Sequence, residues 1–170
     1  MSEATSECAA QTVSAEHKVL DQFIGTWNAK TRFWMQPGAE PMDMTGVMKN
    51  TWAFNGLYLE ENYEGSEFMG QQFKGKGVWT YNPTTKKYEG IWYDTAGSSL
   101  QFETGSFDDA KKIYTAHNTF IMPGTTNEMA KRTVITVKNT NEHVMEMFMG
   151  EVGSAPDQQF KCMEITYTRA

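Results

Sequence analysis

Beyond residue 25 the chain alternates between apolar and polar residues with a period of two, and polar turn sequences interrupt it at short intervals. The segments between turns are rich in Trp, Tyr, Phe, Thr, Val and Met and have the usual length of β-strands. Each turn supplies Gly, Pro, Asn or Asp, the residues that reverse a backbone most readily. The turns fall at 36–41, 54–56, 81–88, 94–99, 107–112, 122–127, 138–142 and 153–158. The segment 66–72 fits either a turn or the start of a bulged strand.

This pattern predicts about ten strands. The connections are too short for crossover helices, so strands that follow one another in sequence should pair antiparallel. A meander of that size must close on itself or leave long edges open to aggregation. The predicted fold is therefore all-β, an up-and-down antiparallel β-barrel of about ten strands. A two-sheet sandwich is the alternative.

One short helix is predicted before the strands, over residues 14–23. Gly25 should end it in a left-handed conformation, and Trp27 should begin the first strand. The helix would then cap one mouth of the barrel. Its apolar side comprises Val19, Leu20, Phe23 and Ile24, and the inward face of the first strand comprises Trp27, Ala29, Thr31, Phe33 and Met35.

Composition narrows the class of protein. Lys and Arg number 15 against 21 Asp and Glu, for a net charge of −6. This charge, without any basic run, argues against nucleic acid or an anionic membrane as partner. Residues 1–13 read as a polar, disordered lead-in without the features of a secretory signal, so we expect one domain over 14–170, a cytoplasmic protein, and a monomer or homodimer. Cys8 and Cys162 match no metal or redox spacing and are expected to be free thiols.

Four longer motifs lie along the chain: G-x-W at Gly25 and Trp27, F-W-M-x-P-G at 33–38, W-x-D-x-x-G from Trp92 to Gly97, and M-E-I-x-Y-T-R at 163–169. Together they resemble one bacterial family, the domain of unknown function 1579. The resemblance spans about residues 17–169 and implies a lipocalin-like, or calycin, barrel. In calycins a basic residue of the closing strand packs over the tryptophan of G-x-W, which implies a contact between Arg169 and Trp27. The family brings no established reaction or ligand.

The predicted inward faces combine aromatic side chains with glycines and methionines. Glycines beside large rings can let them interlock in a filled core, or they can leave a cavity for an apolar or aromatic ligand. Methionine is pliable and suits varied hydrophobic ligands. We favour a cavity. The candidate ligand-binding residues are Phe33, Met44, Met48, Trp52, Phe73, Trp79, Trp92, Asp94, His117 and Arg132.

Asp94 is the sharpest single candidate, because it shares the alternation of Trp92. It would be a polar anchor at the inner rim or, alternatively, a turn-capping residue. Alternation does not assign four other strand residues to either face of the sheet: Glu61, Glu103, Arg132 and His117. The methionines around Glu146 argue that this carboxylate faces out.

The three histidines form no metal-binding spacing, and the last strand has none, so the sequence predicts no metal, haem or other cofactor. The favoured function is a binding protein that holds a small hydrophobic molecule. The alternative is an enzyme on the same barrel, with Asp94 or a mid-strand glutamate as general base and His117 or a tyrosine as proton donor.

Overall fold

A computed structural model describes residues 11–122 and 124–170, and these residues form one closed β-barrel behind a short helix. The helix α1 (Ala15–Val19) continues into a 3-10 turn (Leu20–Phe23), and two further 3-10 turns cover Phe54–Gly56 and Pro156–Gln158. The strands are β1 (Gly25–Phe33), β2 (Met42–Ala53), β3 (Tyr58–Phe68), β4 (Gln71–Asn82), β5 (Lys87–Asp94), β6 (Gln101–Phe107), β7 (Ile113–Ile121), β8 (Glu128–Asn139), β9 (Glu142–Glu151) and β10 (Phe160–Arg169).

Each strand pairs antiparallel with its neighbours in sequence, and β1 pairs with β10 to close the sheet. Closure leaves no strand edge free to recruit another chain. The predicted up-and-down barrel of ten strands is therefore confirmed, and the sandwich is wrong. Residues 15–23 lie at one end of the barrel, which we call the helix end. The opposite end, where residues 34–41 and 95–100 connect strands, is called the far end.

The sequence left open whether the segment 66–72 is a turn or the start of a bulged strand, and the structure shows a turn and a bulge together. Met69 and Gly70 have positive φ angles of 51° and 84° and make the tight reversal between β3 and β4. The β3–β4 register also shifts between Glu64 and Glu67, which marks a bulge just before the turn.

The helix end is closed by the apolar side of residues 15–23. Leu20 and Phe23 are buried among side chains of the barrel, and Val19 and Ile24 pack against the same cluster. The Trp27 indole N–H donates to the Phe23 carbonyl over 2.8 Å, which ties the first strand to the end of the 3-10 turn. The predicted helix over this mouth is confirmed.

The first strand differs from its prediction at both ends. Ile24 ends the 3-10 turn in an extended conformation, and the left-handed residue, Gly25 with φ of 119°, is already the first residue of β1. Trp27, Ala29 and Thr31 are buried as expected. Met35 was wrongly placed on this face: β1 stops at Phe33, and Met35 lies in the following loop with 66% of its surface exposed.

The sequence also predicted two free thiols and a disordered lead-in. Cys162 is buried and free of disulfides, whereas Cys8 and residues 1–10 of the predicted lead-in lie outside the described residues. Among the residues that the structure describes, no helix is long and apolar enough to cross a membrane.

Candidate functional site

The interior of the barrel contains a cavity of about 310 Å³. It extends from Phe23 and Leu59 near the helix end to Phe33, Phe68 and Phe73 near the far end. A volume near 300 Å³ lies at the lower limit for sites that bind small molecules, and the mainly apolar lining is typical of them. The interior is therefore neither solidly filled nor an open channel.

Methionines form one side of this cavity. Met145 and Met147 on β9 face inward beside Met163 of β10, and Met44 and Met48 of β2 complete the set. Glu146, between the two β9 methionines, points outward and forms an ion pair with Lys161 over 2.9 Å. The predicted outward orientation of Glu146 is thus confirmed, and the methionine-rich wall is pliable.

Glycines allow aromatic rings to lie over neighbouring strands, and we call this part of the cavity lining the aromatic wall. A Cβ atom at Gly75 would overlap the Trp92 ring, and one at Gly46 would overlap the Tyr63 ring. Rings thus fill part of the interior, and the remaining space forms the cavity. The sequence left open whether the glycines let aromatic rings interlock or leave space for a ligand, and the structure shows both.

Asp94 lies on the cavity wall, but its carboxylate is already engaged. One oxygen accepts from the Trp92 indole N–H over 2.8 Å, and the other accepts from the Ala96 backbone N–H over 2.9 Å. Asp94 therefore caps the turn after β5 and also fixes the orientation of the Trp92 ring.

Two further carboxyl groups, Glu61 on β3 and Glu103 on β6, face the interior. Each lies over a glycine of the adjacent strand: Glu61 reaches over Gly77, and a Cβ at Gly90 would lie 3.3 Å from Cγ of Glu103. Burial, together with the charge of Glu103, raises the pKa of Glu61 to about 8. Burial also raises the pKa of Glu103. The barrel thus holds a pair of carboxyls that are reluctant to ionise together.

A lysine balances part of this acidity. Lys131 of β8 is buried, and its amine donates to Oε1 of Gln101 over 3.1 Å. Burial lowers the pKa of Lys131, whereas the nearby charge of Glu103 acts in the opposite direction. The hydroxyl of Tyr114 also reaches Glu103, at 3.4 Å. Glu103 therefore has polar partners.

Asn50 is different, because its amide oxygen has no donor among the described residues. Asn50 of β2 is paired directly with Glu61 of β3. Its amide N–H₂ donates to the Phe23 carbonyl over 3.0 Å, and no donor in the described part of the chain reaches its Oδ1 atom. Burial and the charge of Glu103 raise the pKa of the neighbouring Glu61, and no hydrogen bond from a described residue lowers it.

His143 of β9 is another buried polar group on the cavity wall. It stacks on Tyr167 with ring centres 4.7 Å apart and meets the Trp27 ring edge-on at 4.4 Å. Burial and the positive charge of Arg169 lower the pKa of His143 to about 3, so its ring is neutral at pH 7.

The structure brings seven of the ten predicted ligand-binding residues to the cavity wall: Phe33, Met44, Met48, Phe73, Trp79, Trp92 and Asp94. Trp52 faces inward but packs into the cluster at the helix end and donates its indole N–H to Asp21 over 2.8 Å. His117 and Arg132 face each other across β7 and β8 on the outer surface. His117 is exposed, and the Arg132 guanidinium lies 4.0 Å from the centre of the Phe148 ring.

Sequence reasoning assigned no role to Asn50, Lys131 or His143 and left the orientation of Glu61 and Glu103 open. One signal was present: strong alternation with Leu59 and Tyr63 favours an inward Glu61. The glycines that accommodate the two glutamates belong to neighbouring strands, so only the register reveals them. Across the described ranges, no group of three or more His, Cys, Asp or Glu side chains is placed to hold a metal ion.

Fold and interior together define a ten-stranded antiparallel barrel of the calycin type with a largely apolar internal cavity. The sequence matches the family described as "Protein of unknown function (DUF1579)" over residues 12–169, and the chain belongs to this family. No curated protein matches the sequence.

Solved structures that match this chain include the following two. One is Rv2717c from M. tuberculosis, with a TM-score of 0.64 and 11% identity, covering 94% of this chain and 99% of that one. The other is a redesigned β-barrel, with a TM-score of 0.47 and 14% identity, covering 92% of this chain and 99% of the design. At such low identity the first similarity establishes the barrel fold and nothing further.

Proposed function

We propose that this protein binds a small, mainly apolar or aromatic molecule inside its barrel. The observation that carries the proposal is the cavity of about 310 Å³ between the methionine wall and the aromatic wall. An apolar cavity of about 150 Å³ admits benzene, so this one suits a molecule of about two or three rings. Burial of such a molecule against methionines and aromatic rings supplies affinity in proportion to its apolar area.

A specific observation also favours a second candidate, an acid–base enzyme on the same scaffold. The pKa of about 8 at Glu61 suits proton transfer near neutral pH, and Tyr114 donates to the nearby Glu103. His117 lies outside the barrel and takes no part in this version. A carrier returns its ligand unchanged, whereas an enzyme alters it. Mass analysis of the small molecule before and after incubation with the protein therefore separates the two functions.

The binding proposal is tested with the neutral fluorescent dye N-phenyl-1-naphthylamine. The dye should bind with a blue-shifted emission and quench tryptophan fluorescence, because Trp79 and Trp92 lie on the cavity wall. Met147→Trp should fill the cavity and abolish binding. Met35→Trp makes the same exchange at an exposed loop position and should leave binding intact. Dye binding that is equal in both variants would place the site outside the barrel and contradict the proposal.

A further inference from the structure

We propose that Asn50 and Glu61 together form an anchor for the ammonium group of the bound molecule, which makes the ligand a small aromatic or lipophilic amine. This inference rests on the proposed function, since it concerns the same cavity. It assigns the specificity of that cavity to two adjacent residues near the helix end.

The first support is the geometry of the pair. Asn50 and Glu61 lie opposite each other on β2 and β3, and both line the cavity. The bond from the Asn50 amide N–H₂ to the Phe23 carbonyl fixes which atom of the amide remains free, namely the acceptor Oδ1. Asn50 is only 3% exposed, and an acceptor buried without a donor is costly. An ammonium group carries several donors, so one of them would satisfy Oδ1 and another would pair with the Glu61 carboxylate.

The second support is the charge of the surroundings. Glu61, Glu103 and Asp94 place three carboxyl groups on the cavity wall, against the single amine of Lys131, which is held by Gln101. An ammonium group would be stabilised there once Glu61 loses its proton, whereas a carboxylate ligand would be repelled by the same charge. An ammonium group also supplies three donors, while a hydroxyl supplies one.

The third support is the aromatic wall beside the anchor. A Cβ atom on Gly77 would meet both the Glu61 carboxyl and the Trp92 ring, so these two side chains approach each other over this glycine. An ammonium group at Glu61 would therefore also lie close to an indole, and cation–π attraction is strongest with tryptophan. The ring system of the ligand would extend from this point along the methionine wall.

Binding of an amine should be linked to loss of a proton from Glu61. In the empty protein the pKa of Glu61 is about 8, so its carboxyl is largely protonated at pH 7. An ammonium ion beside it favours the carboxylate, and the released proton passes to the buffer. The ligand keeps its own proton throughout. The other titratable groups that face Glu61 or share its cavity are Tyr63 on β3, Asp94 on β5, Glu103 on β6, Tyr114 on β7, Lys131 on β8, His143 on β9 and Tyr167 on β10.

Three probes with one ring system separate the anchor from the cavity: 2-naphthylmethylamine, 2-naphthalenemethanol and 2-methylnaphthalene. Calorimetry at pH 8 should show the amine binding about tenfold or more tightly than the alcohol, as expected for a charge-assisted hydrogen bond. Glu61→Gln should remove this preference and change the affinity for 2-methylnaphthalene less than about twofold. The matched control is Glu146→Gln, whose carboxyl lies outside the barrel and should keep the preference.

The proton provides an independent readout. Titrations at pH 7 in buffers of different ionisation enthalpy should show release of most of one proton when the amine binds to the wild-type protein. The same titrations should show no release for the alcohol, and none in Glu61→Gln. Binding of 2-methylnaphthalene without preference for the amine, or a preference that survives in Glu61→Gln, would overturn the anchor alone. Failure of all three probes and of N-phenyl-1-naphthylamine to bind would overturn the proposed function with it.

Discussion

The guanidinium carbon of Arg169 lies 4.1 Å from the centre of the Trp27 ring, although these residues stand at opposite ends of the barrel sequence. Arg169 also donates to the carbonyls of Ile24 and Thr140, over 2.8 and 3.0 Å. One side chain thus links the last strand, the first strand and the turn before β9. A Cβ at Gly25 would lie 2.7 Å from this guanidinium, so the glycine, the tryptophan and the arginine form one structural unit.

Replacement of Trp27 by alanine should destabilise the protein strongly, because the side chain is 1% exposed and its N–H is bonded to Phe23. We expect a loss of about 3–5 kcal/mol in the free energy of unfolding, the usual cost of a large buried aromatic. Denaturant titration measures it. Tyr93→Ala removes a ring that is 44% exposed and serves as control. A loss below about 1 kcal/mol for Trp27→Ala would contradict the buried placement.

Gly75→Ala should displace the Trp92 ring, since the added Cβ would overlap it. The expected cost is about 1–3 kcal/mol, as for other overpacked interiors, with a change in tryptophan emission. Gly97→Ala is the matched control: its Cβ meets no atom within 4 Å, so stability and emission should stay constant. Equal behaviour of the two variants would mean that Trp92 does not lie over Gly75.

Glu61 should make the protein less stable as pH rises. The folded state keeps the proton of Glu61 up to about pH 8, whereas the unfolded state releases it near 4.5, so the folded state binds more protons between these values. Stability therefore falls from pH 4.5 to 8. At pH 9 Glu61→Gln should be more stable than wild type by about 4–5 kcal/mol, with the difference vanishing near pH 4.5. Urea titrations across this range test the prediction, and a constant difference would contradict it.

His143 should act in the opposite direction at acid pH. Its pKa of about 3 in the folded state lies below the value of 6.5 expected after unfolding, so the unfolded state binds more protons between the two. Stability is then lost as pH falls below 6.5, by about 3 kcal/mol at pH 4.5. His143→Phe keeps a ring on Tyr167 and should remove this part of the acid loss. His117→Gln, at an exposed outer position, should retain it. An acid loss of equal size in wild type and His143→Phe would refute this role of His143.

The fold was predictable because its signals are local. Turn residues and a period of two mark each strand, and closure follows from ten strands with short connections. Inward positions such as Trp27, Trp79 and Trp92 followed directly from alternation. The end of β1 did not, since nothing in the alternation at Met35 marks the loss of pairing after Phe33.

The polar part of the site was harder to predict, because it depends on pairs between strands. Glu61 fits the interior only because Gly77 faces it, and Asn50 becomes significant only beside Glu61. Alternation within one strand shows neither the pairing of Glu61 with Gly77 nor the pairing of Asn50 with Glu61. Asp94 was recognised from its own strand, yet its two hydrogen bonds, to Trp92 and Ala96, required the geometry of the turn.

Native mass spectrometry of the protein purified from its own host tests the central claim most directly, since a ligand held in the barrel should remain with it. We expect a population with one added small molecule in the wild-type protein and in Met35→Trp, and the unmodified mass alone in Met147→Trp. A wild-type spectrum with only the unmodified mass, or the same adduct in all three proteins, would contradict a ligand-binding cavity.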